Sequence, residues 1–276
     1  MRIDAHQHFW LYDPNREAWI TDEMAVIQRN FLPNDISKIL KDNNIDGVVA
    51  VQADQSHQET YFLAELSQVY KMIKGVVGWV DLRSSKIDEY LEEFRKHDII
   101  KGFRHVIEGE SDGDFLMKDD FLRGIESLTA FDYTYDLLIR PIHYQSTLEC
   151  VRSNSNQKFM LDHIAKPPIK SKAFEDWGVF IENLATFPNV LCKVSGLATE
   201  ADWKNWQLDH FTVYIDHVIK SFGKDRVCFG SDWPVCLLAA SYEQSIEIVQ
   251  DKLKSFSDQD LQNFWGTNAV KFYNLK

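Results

Sequence analysis

The chain has 276 residues, a formal net charge of −12 and a hydrophobic fraction of 45%. This hydrophobic content is enough for a large buried core, so an intrinsically disordered chain is excluded. The acidic balance, with no basic stripe to offset it, argues against a nucleic-acid partner and indicates a protein that acts on small molecules. The length suits one α/β barrel, and we expect a single domain over residues 1–276.

The four cysteines, Cys150, Cys192, Cys228 and Cys236, lack a C-x-x-C spacing, so we expect free thiols in a reducing compartment. Cys236 follows a candidate active-site segment, but the sequence assigns it no role. No basic-then-apolar signal region begins the chain, and no apolar run is long enough to span a bilayer. These features predict a cytoplasmic enzyme without a membrane partner. They predict no oligomeric state.

Short apolar or β-branched runs alternate with amphipathic stretches along the whole chain. The runs predict eight strands, at residues 2–6, 47–52, 75–82, 100–106, 133–138, 158–163, 190–195 and 226–231. The amphipathic stretches predict helices at residues 35–43, 59–73, 87–97, 121–131, 145–153, 174–187 and 211–222, and two more at 242–256 and 258–273. This order predicts a (β/α)8 TIM barrel with extra C-terminal helices. A doubly wound open sheet is the alternative, but no Gly-rich phosphate loop supports it.

The first predicted strand and the two residues after it carry the run Asp4-Ala5-His6-Gln7-His8. Because side chains alternate between the faces of a strand, we expect Asp4, His6 and His8 to point the same way. Two imidazoles at this spacing can reach one metal ion or one substrate oxygen. The pair alone is weak evidence, and it needs matching groups from other strands.

Residues 9–33 form the one long irregular segment, and it carries Trp10, Tyr12 and Trp19. After strand 1 of a barrel, such a loop lies at the C-terminal mouth of the strands, where substrates bind. We therefore expect these aromatic side chains to form part of a pocket wall.

Strands 2 to 4 also end in polar or aromatic side chains, among them Gln52, Trp79, Arg104 and His105. A buried arginine needs an anion or an acceptor, so Arg104 has either a site role or a structural ion pair. His105 has the opposite strand parity to Arg104, which makes an inward orientation less favourable for it.

Strands 5 and 6 add further candidates. Asp136 lies within an apolar run, where it is costly unless hydrogen-bonded, so we expect a structural Arg or Lys partner or a place in the pocket. His143 is a looser candidate because Arg140 and Pro141 separate it from the strand. His163 ends strand 6, and Lys166 follows in the loop at the mouth, where substrate contact is plausible.

Strand 8 ends in Gly230-Ser231-Asp232-Trp233-Pro234. A lone aspartate at this point usually caps a turn. In a closed barrel, however, strand 8 lies beside strand 1, so Asp232 would lie near His6 and His8. This arrangement would place a base beside two possible ligands.

Together these motifs resemble the amidohydrolase superfamily, and within it the amidohydrolase-2 group, which includes sugar lactonases such as L-fuconolactonase and L-rhamnono-lactonase. The resemblance rests on five segments spread over the chain, at residues 3–10, 102–105, 161–167, 193–197 and 229–234. It implies a distorted (β/α)8 barrel with its catalytic groups at the C-terminal mouth.

The resemblance assigns catalytic roles to His6, His8, Arg104, His163 and Asp232. Strand 4 offers Arg104 where binuclear members of the superfamily place a bridging carbamylated lysine, so a two-metal site is not expected. A single divalent ion, with zinc the first choice, could bind His6, His8 and Asp232. Catalysis without a metal, with the same residues holding the carbonyl oxygen, stays open.

The predicted reaction is the opening of a sugar lactone, in catabolism of the L-fucose or L-rhamnose type. Asp232 would take a proton from water, and the histidines would stabilise the oxyanion. Side chains around them are predicted to contact the substrate: Gln52, Trp10, Trp79, Lys166, Trp233 and His105. A metal-dependent decarboxylase of the same superfamily is the enzymatic alternative, and an inactive ligand-binding barrel is the non-enzymatic one. The sequence does not predict which sugar lactone is used.

Overall fold

In the computed structural model, which describes all 276 residues, eight parallel strands follow one another in chain order in a single sheet. The strands are β1 (Ile3–Gln7), β2 (Gly47–Val51), β3 (Ile73–Gly78), β4 (Ile100–His105), β5 (Thr134–Leu137), β6 (Phe159–Leu161), β7 (Val190–Val194) and β8 (Val227–Phe229).

The α-helices alternate with these strands and then continue after the last one. They are α1 (Pro33–Asp42), α2 (His57–Val69), α3 (Ile87–Phe94), α4 (Asp119–Ala130), α5 (Tyr144–Ser153), α6 (Glu175–Ala185), α7 (Asp209–Phe222), α8 (Tyr242–Gln250), α9 (Asp258–Gln262) and α10 (Asn268–Tyr273). The predicted (β/α)8 barrel with extra C-terminal helices is confirmed. None of these helices combines the length and the apolar composition that crossing a bilayer requires.

Several element boundaries differ from the sequence prediction. The predicted helix 242–256 ends at Gln250, and the predicted helix 258–273 is interrupted by a π-helical turn at Asn263–Thr267.

Two further differences lie at β3. The predicted helix 59–73 ends at Val69, and Ile73 instead begins β3. The same strand ends at Gly78 because the Thr60 hydroxyl bonds both the backbone N–H and the carbonyl of Trp79, each at 2.8 Å. These side-chain bonds replace the next pairings of the sheet.

The barrel closes between β1 and the segment that follows β8. The Asp232 amide donates to the His6 carbonyl at 2.9 Å, and the His8 amide donates to the Trp233 carbonyl at 2.7 Å. These two bonds join the ends of the barrel at the carboxyl edge of the strands. They also bring the predicted ligands and the predicted base into contact.

Asp4 does not share a face with His6 and His8, and the prediction that it would is wrong. The register between β1 and β2 shifts between Asp4 and Gln7, which breaks the simple alternation. The Asp4 carboxylate accepts hydrogen bonds from Gln7 Nε2, the Ser231 amide and the Tyr242 hydroxyl, at 2.8, 2.8 and 3.0 Å. It therefore ties β1 to the chain after β8 instead of entering the site.

The barrel interior has two layers of different chemistry. We call the first the apolar layer; it comprises Ile3, Ala5, Val49, Val51, Val77, Met160 and Cys228, and residues Ala269, Phe272, Tyr273 and Leu275 pack against it. The second, the charged layer, lies towards the carboxyl ends of the strands and comprises His6, Arg104, Asp136, Asp162 and Lys193, all at most 4% exposed. The charged layer supports the site described next.

Candidate active site

A cavity of about 570 Å³ opens at the carboxyl ends of the strands. Five of the predicted site residues line it: His8, Arg104, His163, Lys166 and Asp232. This is the location at which (β/α)8 enzymes bind their substrates. The volume is that of a small-molecule site.

At the base of the cavity, three imidazoles surround one carboxylate oxygen. Asp232 Oδ1 lies 3.3 Å from His8 Nε2 and 3.8 Å from both His6 Nε2 and His163 Nε2. The Nε2 atoms of His6 and His8 are 3.2 Å apart. Residues from β1, from the turn after β6 and from the chain after β8 thus converge on one point.

Hydrogen bonds on the far side of each β1 imidazole determine which nitrogen faces this point. His8 Nδ1 lies 2.8 Å from the Val51 carbonyl, which can only accept, so Nδ1 carries the hydrogen and Nε2 carries the lone pair. His6 Nε2 lies 3.3 Å from Arg104 Nη1, which can only donate, so this nitrogen carries the lone pair, while His6 Nδ1 lies 3.3 Å from Asp162 Oδ1.

This donor set fits a single divalent metal ion. His6, His8 and Asp232 each offer one ligand atom, two imidazole nitrogens and one carboxylate oxygen, and these atoms lie within 4.8 Å of one another. Ligands of tetrahedral zinc lie about 3.4 Å from one another, close to the 3.2, 3.3 and 3.8 Å between these atoms. Arg104 Nη1, 3.3 Å from His6 Nε2, is the nearest competing donor.

His163 and Lys166 are held in the site by an unusual backbone. Residues His163, Ile164, Ala165 and Lys166 all have positive φ, between 47° and 61°. This left-handed turn costs about 1–2 kcal/mol per L-residue, and most for the β-branched Ile164. The Trp177 indole N–H donates to the Ile164 carbonyl at 2.7 Å and holds the turn in place.

The His163 ring also needs space beside the end of β7. Its Nδ1 lies 2.9 Å from the Ser195 hydroxyl oxygen. The next residue, Gly196, has φ +65°, and a Cβ there would approach His163 Nδ1 to 2.7 Å. Glycine is therefore required at this position both for backbone conformation and for contact with the His163 imidazole.

Beneath these imidazoles, the charged layer forms one ion-paired network. Lys193 Nζ lies 2.6 Å from Asp136 Oδ2, 3.0 Å from Asp162 Oδ1 and 3.2 Å from His6 Nδ1. Arg104 donates to Asp162 Oδ2 at 3.0 Å and to Gln52 Oε1 at 2.9 Å. Asp136 thus has the structural lysine partner that one of its two predicted roles required, and Arg104 has its anion.

The electrostatics keep Asp232 ionised and the imidazoles of His6 and His163 neutral. Burial alone would raise the pKa of Asp232, but the imidazoles of His163, His8 and His6 bring it below its usual range. Burial lowers the pKa of His163 to about 4 and that of His6 well below its ordinary value. The site therefore combines a base with neutral nitrogens.

The same two effects, burial and ion pairing, keep the residues of the charged layer ionised. Burial would lower the pKa of Lys193, but Asp136 and Asp162 raise it above its ordinary value. Burial would raise the pKa of Asp162, but Lys193, His6 and Arg104 hold it well below its usual range. Lys193 and Asp162 are therefore a charged pair at neutral pH.

Several predicted substrate contacts do not line the cavity. Trp10 is buried, with its indole N–H bonded to the Arg29 carbonyl, and Trp233 is buried with its ring centroid 5.2 Å from that of Phe31. Trp79 packs beside His57, and His105 bonds Glu110 at 2.7 Å. These four side chains lie outside the cavity lining.

Of the remaining residues that the sequence singled out, only Trp19 lines the cavity. Gln52 is fully buried, and its side-chain oxygen accepts a hydrogen bond from Arg104. Of the loop aromatics, Trp19 lines the cavity, whereas Tyr12 does not. His143 is buried and faces the Glu110 carbonyl at 3.2 Å, away from the cavity, and Cys236 is buried outside it.

Residues that the sequence reasoning did not assign complete the site. Asp162 and Lys193 hold His6 from below, while Glu200 and Trp203 line the cavity after β7. For Asp162 and Lys193, the alternation of side chains along a strand was a usable signal in the sequence. Asp162 lies two residues after the inward Met160, and Lys193 is a charge within an apolar strand. The other two lie in a loop and carried no such pattern.

Known proteins resemble this chain over its whole length. The model of the amidohydrolase family Amidohydro_2 matches residues 3–275. An L-fucono-1,5-lactonase of Burkholderia multivorans is 36% identical, with 100% of this chain and 96% of the relative covered. An L-fucono-1,5-lactonase of Burkholderia ambifaria is 32% identical, with 99% and 96% covered.

The fold and the family agree with a solved structure. A crystal structure of an amidohydrolase from Burkholderia multivorans with bound zinc superposes with a TM-score of 0.97, at 37% identity and with 100% of both chains covered. The resemblance inferred from the sequence is thereby confirmed. The cluster of polar side chains lies at the carboxyl ends of the strands, where (β/α)8 enzymes have their active sites. The chain belongs to the amidohydrolase family.

Proposed function

We propose that this protein hydrolyses a sugar lactone to the open hydroxy acid, with an L-fucono-type lactone as the first candidate. One observation carries the proposal: an ionised carboxylate, Asp232, faces three imidazoles at the base of a sugar-sized cavity. Ester hydrolysis needs such a base for water next to groups that stabilise an oxyanion. The lactonase names of the two Burkholderia relatives support the substrate class.

In the proposed reaction, Asp232 accepts a proton from a water molecule as the water oxygen bonds to the lactone carbonyl carbon. The Ser195 hydroxyl donates to His163 Nδ1, so that the hydrogen on Nε2 points towards the developing oxyanion. The guanidinium of Arg104 adds positive charge beside it. When the ring C–O bond breaks, Asp232 returns its proton to the leaving alkoxide, which becomes the free hydroxyl.

We propose zinc as the ion that His6, His8 and Asp232 would hold. When bound, it supplies positive charge that polarises the ester carbonyl. We also propose the cytoplasm as the compartment, because all four cysteines are free and buried, as expected for reduced thiols.

The test is Asp232→Asn, assayed on L-fuconolactone with the wild type in parallel. We expect kcat to fall by about 10²–10⁴-fold, because the amide cannot accept the proton from water. The melting temperature should change little, since the replacement is isosteric. Elemental analysis of both proteins reports whether zinc is bound and whether Asp232 helps to hold it.

Asp88→Asn, an exposed carboxylate on α3, is the matched control and should leave turnover unchanged. Near-native turnover by Asp232→Asn would contradict the role of Asp232. A wild type that opens no sugar lactone but releases carbon dioxide from carboxylated aromatic compounds would replace the proposal with a decarboxylase.

A further inference from the structure

The segment after β7 contributes two side chains to the cavity that the proposed reaction does not use. Glu200 ends a short 3₁₀-helix, Ala198–Glu200, and Trp203 follows three residues later. Both are partly buried, and both line the cavity that also contains Asp232. A carboxylate and an indole therefore lie on one wall beside the reacting centre.

The backbone of Glu200 is fixed, but its carboxylate has no partner in the protein. Its amide donates to the Leu197 carbonyl at 3.2 Å, and its carbonyl accepts from the Lys170 amide at 3.0 Å. The nearest cation, Lys166, is held by Glu108 at 2.6 Å and makes no ion pair with Glu200. Burial raises the pKa of Glu200, which reflects a desolvated carboxyl group with no donor to satisfy it.

Trp203 presents an oriented ring. Its indole N–H donates to the Thr199 carbonyl at 2.9 Å, and the Thr199 hydroxyl donates to the Gly196 carbonyl at 2.7 Å. The polar edge of the indole is thus satisfied within the protein. Its apolar surface is what remains for a ligand in the cavity.

A sugar-derived ring carries the complementary groups. Its hydroxyls are hydrogen-bond donors, for which an unpartnered carboxylate is a strong acceptor, and its C–H groups pack against aromatic rings. We propose that Glu200 and Trp203 form the hydroxyl-recognition subsite, in which Glu200 accepts hydrogen bonds from adjacent ring hydroxyls while Trp203 packs against the ring. This inference rests on the proposed function and names what its substrate must carry: neighbouring free hydroxyls.

The subsite explains discrimination as well as binding. A lactone without ring hydroxyls would cover the Glu200 carboxylate and leave it without a donor. A site built to hydrogen-bond a hydroxyl strongly disfavours an analogue that lacks it. Glu200 is therefore a specificity-determining residue, distinct from the groups that act on the ester.

The experiment compares Glu200→Gln with the wild type on L-fuconolactone and on δ-valerolactone, whose ring has no hydroxyl. For L-fuconolactone we expect kcat/KM to fall by about ten- to hundredfold, mainly through KM, because a charge-assisted acceptor is lost. For δ-valerolactone the value should not fall, since no hydroxyl is recognised and the ring no longer covers an unpaired charge. Glu126→Gln, an exposed glutamate on α4, controls for the loss of one charge.

Direct binding supplies a second readout that needs no turnover. L-Fucose has ring hydroxyls but no ester, and its Kd should rise by about tenfold in Glu200→Gln and also in Trp203→Leu. An equal loss on both lactones, or an unchanged kcat/KM and Kd, would overturn the subsite. Failure of the proposed function looks different: the wild type would then open no lactone, whatever residue occupies position 200.

Discussion

The apolar layer and the charged layer of the barrel are built by the same strands, a few residues apart, and are equally inaccessible to water. In β6 and the residue after it, Met160 belongs to the apolar layer and Asp162 to the charged layer. The apolar layer stabilises the fold through burial and dispersion. The charged layer must offset the desolvation of each ion with a partner, and such networks are often no more stable than hydrophobic replacements. The difference indicates that the charged layer is kept for the site it supports.

The largest expected loss of stability and activity comes from Lys193→Met in the charged layer. Asp136 and Asp162 would then lose the ammonium that lies 2.6 and 3.0 Å from them. Removing one partner of a buried ion pair costs about 3–5 kcal/mol of unfolding free energy. Denaturant unfolding measures this loss, and turnover should fall as well because His6 loses its support.

Met160→Ala in the apolar layer is the matched comparison. It should also destabilise the fold, by about 2–5 kcal/mol, but kcat should stay close to that of the wild type. A Lys193→Met protein with native stability and turnover would show that the network is dispensable.

Acidification should destabilise the folded protein through the buried imidazoles of the site and of the charged layer. The pKa of His163 is about 4 in the folded protein, against an ordinary value of 6.5, so between these pH values the unfolded chain binds the proton and the folded chain does not. Stability therefore falls as the pH drops from 6.5 to 4, by roughly 3 kcal/mol from this group. The lowered pKa of His6 acts in the same direction.

Melting temperatures of chelator-treated protein across this pH range provide the measurement. His163→Asn should flatten the dependence, whereas His210→Asn, at a partly exposed position, should not. A wild-type curve that is flat from pH 6.5 to 4 would contradict the neutral, buried state of these imidazoles.

The smallest effect is expected where the two layers meet. The Tyr273 hydroxyl donates to Asp136 Oδ2 at 2.8 Å, while the ring packs with the apolar layer. Tyr273→Phe removes only the hydrogen bond to a charged acceptor, at a cost of about 2 kcal/mol. Unfolding measurements should show this loss with little change in kcat, and Tyr273→Leu should cost more because the ring packing is lost as well.

Much of the fold followed from local patterns. Alternating apolar runs and amphipathic stretches located the strands, and the predicted start of the last helix at residue 258 agrees with the start of α9 at Asp258. Polar residues at strand ends located the carboxyl mouth, because parallel strands of a barrel end at one edge. His8, His163 and Asp232 were found in this way.

What the sequence missed depends on departures from ideal geometry. The register shift in β1 turned Asp4 away from the site, and strand alternation cannot anticipate such a shift. The left-handed turn at His163 depends on Trp177, a partner from the next helix. Trp10 and Trp233 were expected at the substrate because aromatic residues near a site suggest a wall, yet each is buried behind the cavity lining.

The seam where Asp232 bonds the His6 carbonyl and His8 bonds the Trp233 carbonyl also has a consequence for biosynthesis. Its two sides are more than 220 residues apart in the chain, so no nascent chain that ends before residue 232 can contain the proposed reacting centre. Closing contacts between such distant segments carries a high entropic cost and belongs late in folding. If the proposed site is correct, catalytic competence requires completion of the barrel, and a half-made molecule cannot act on its substrate.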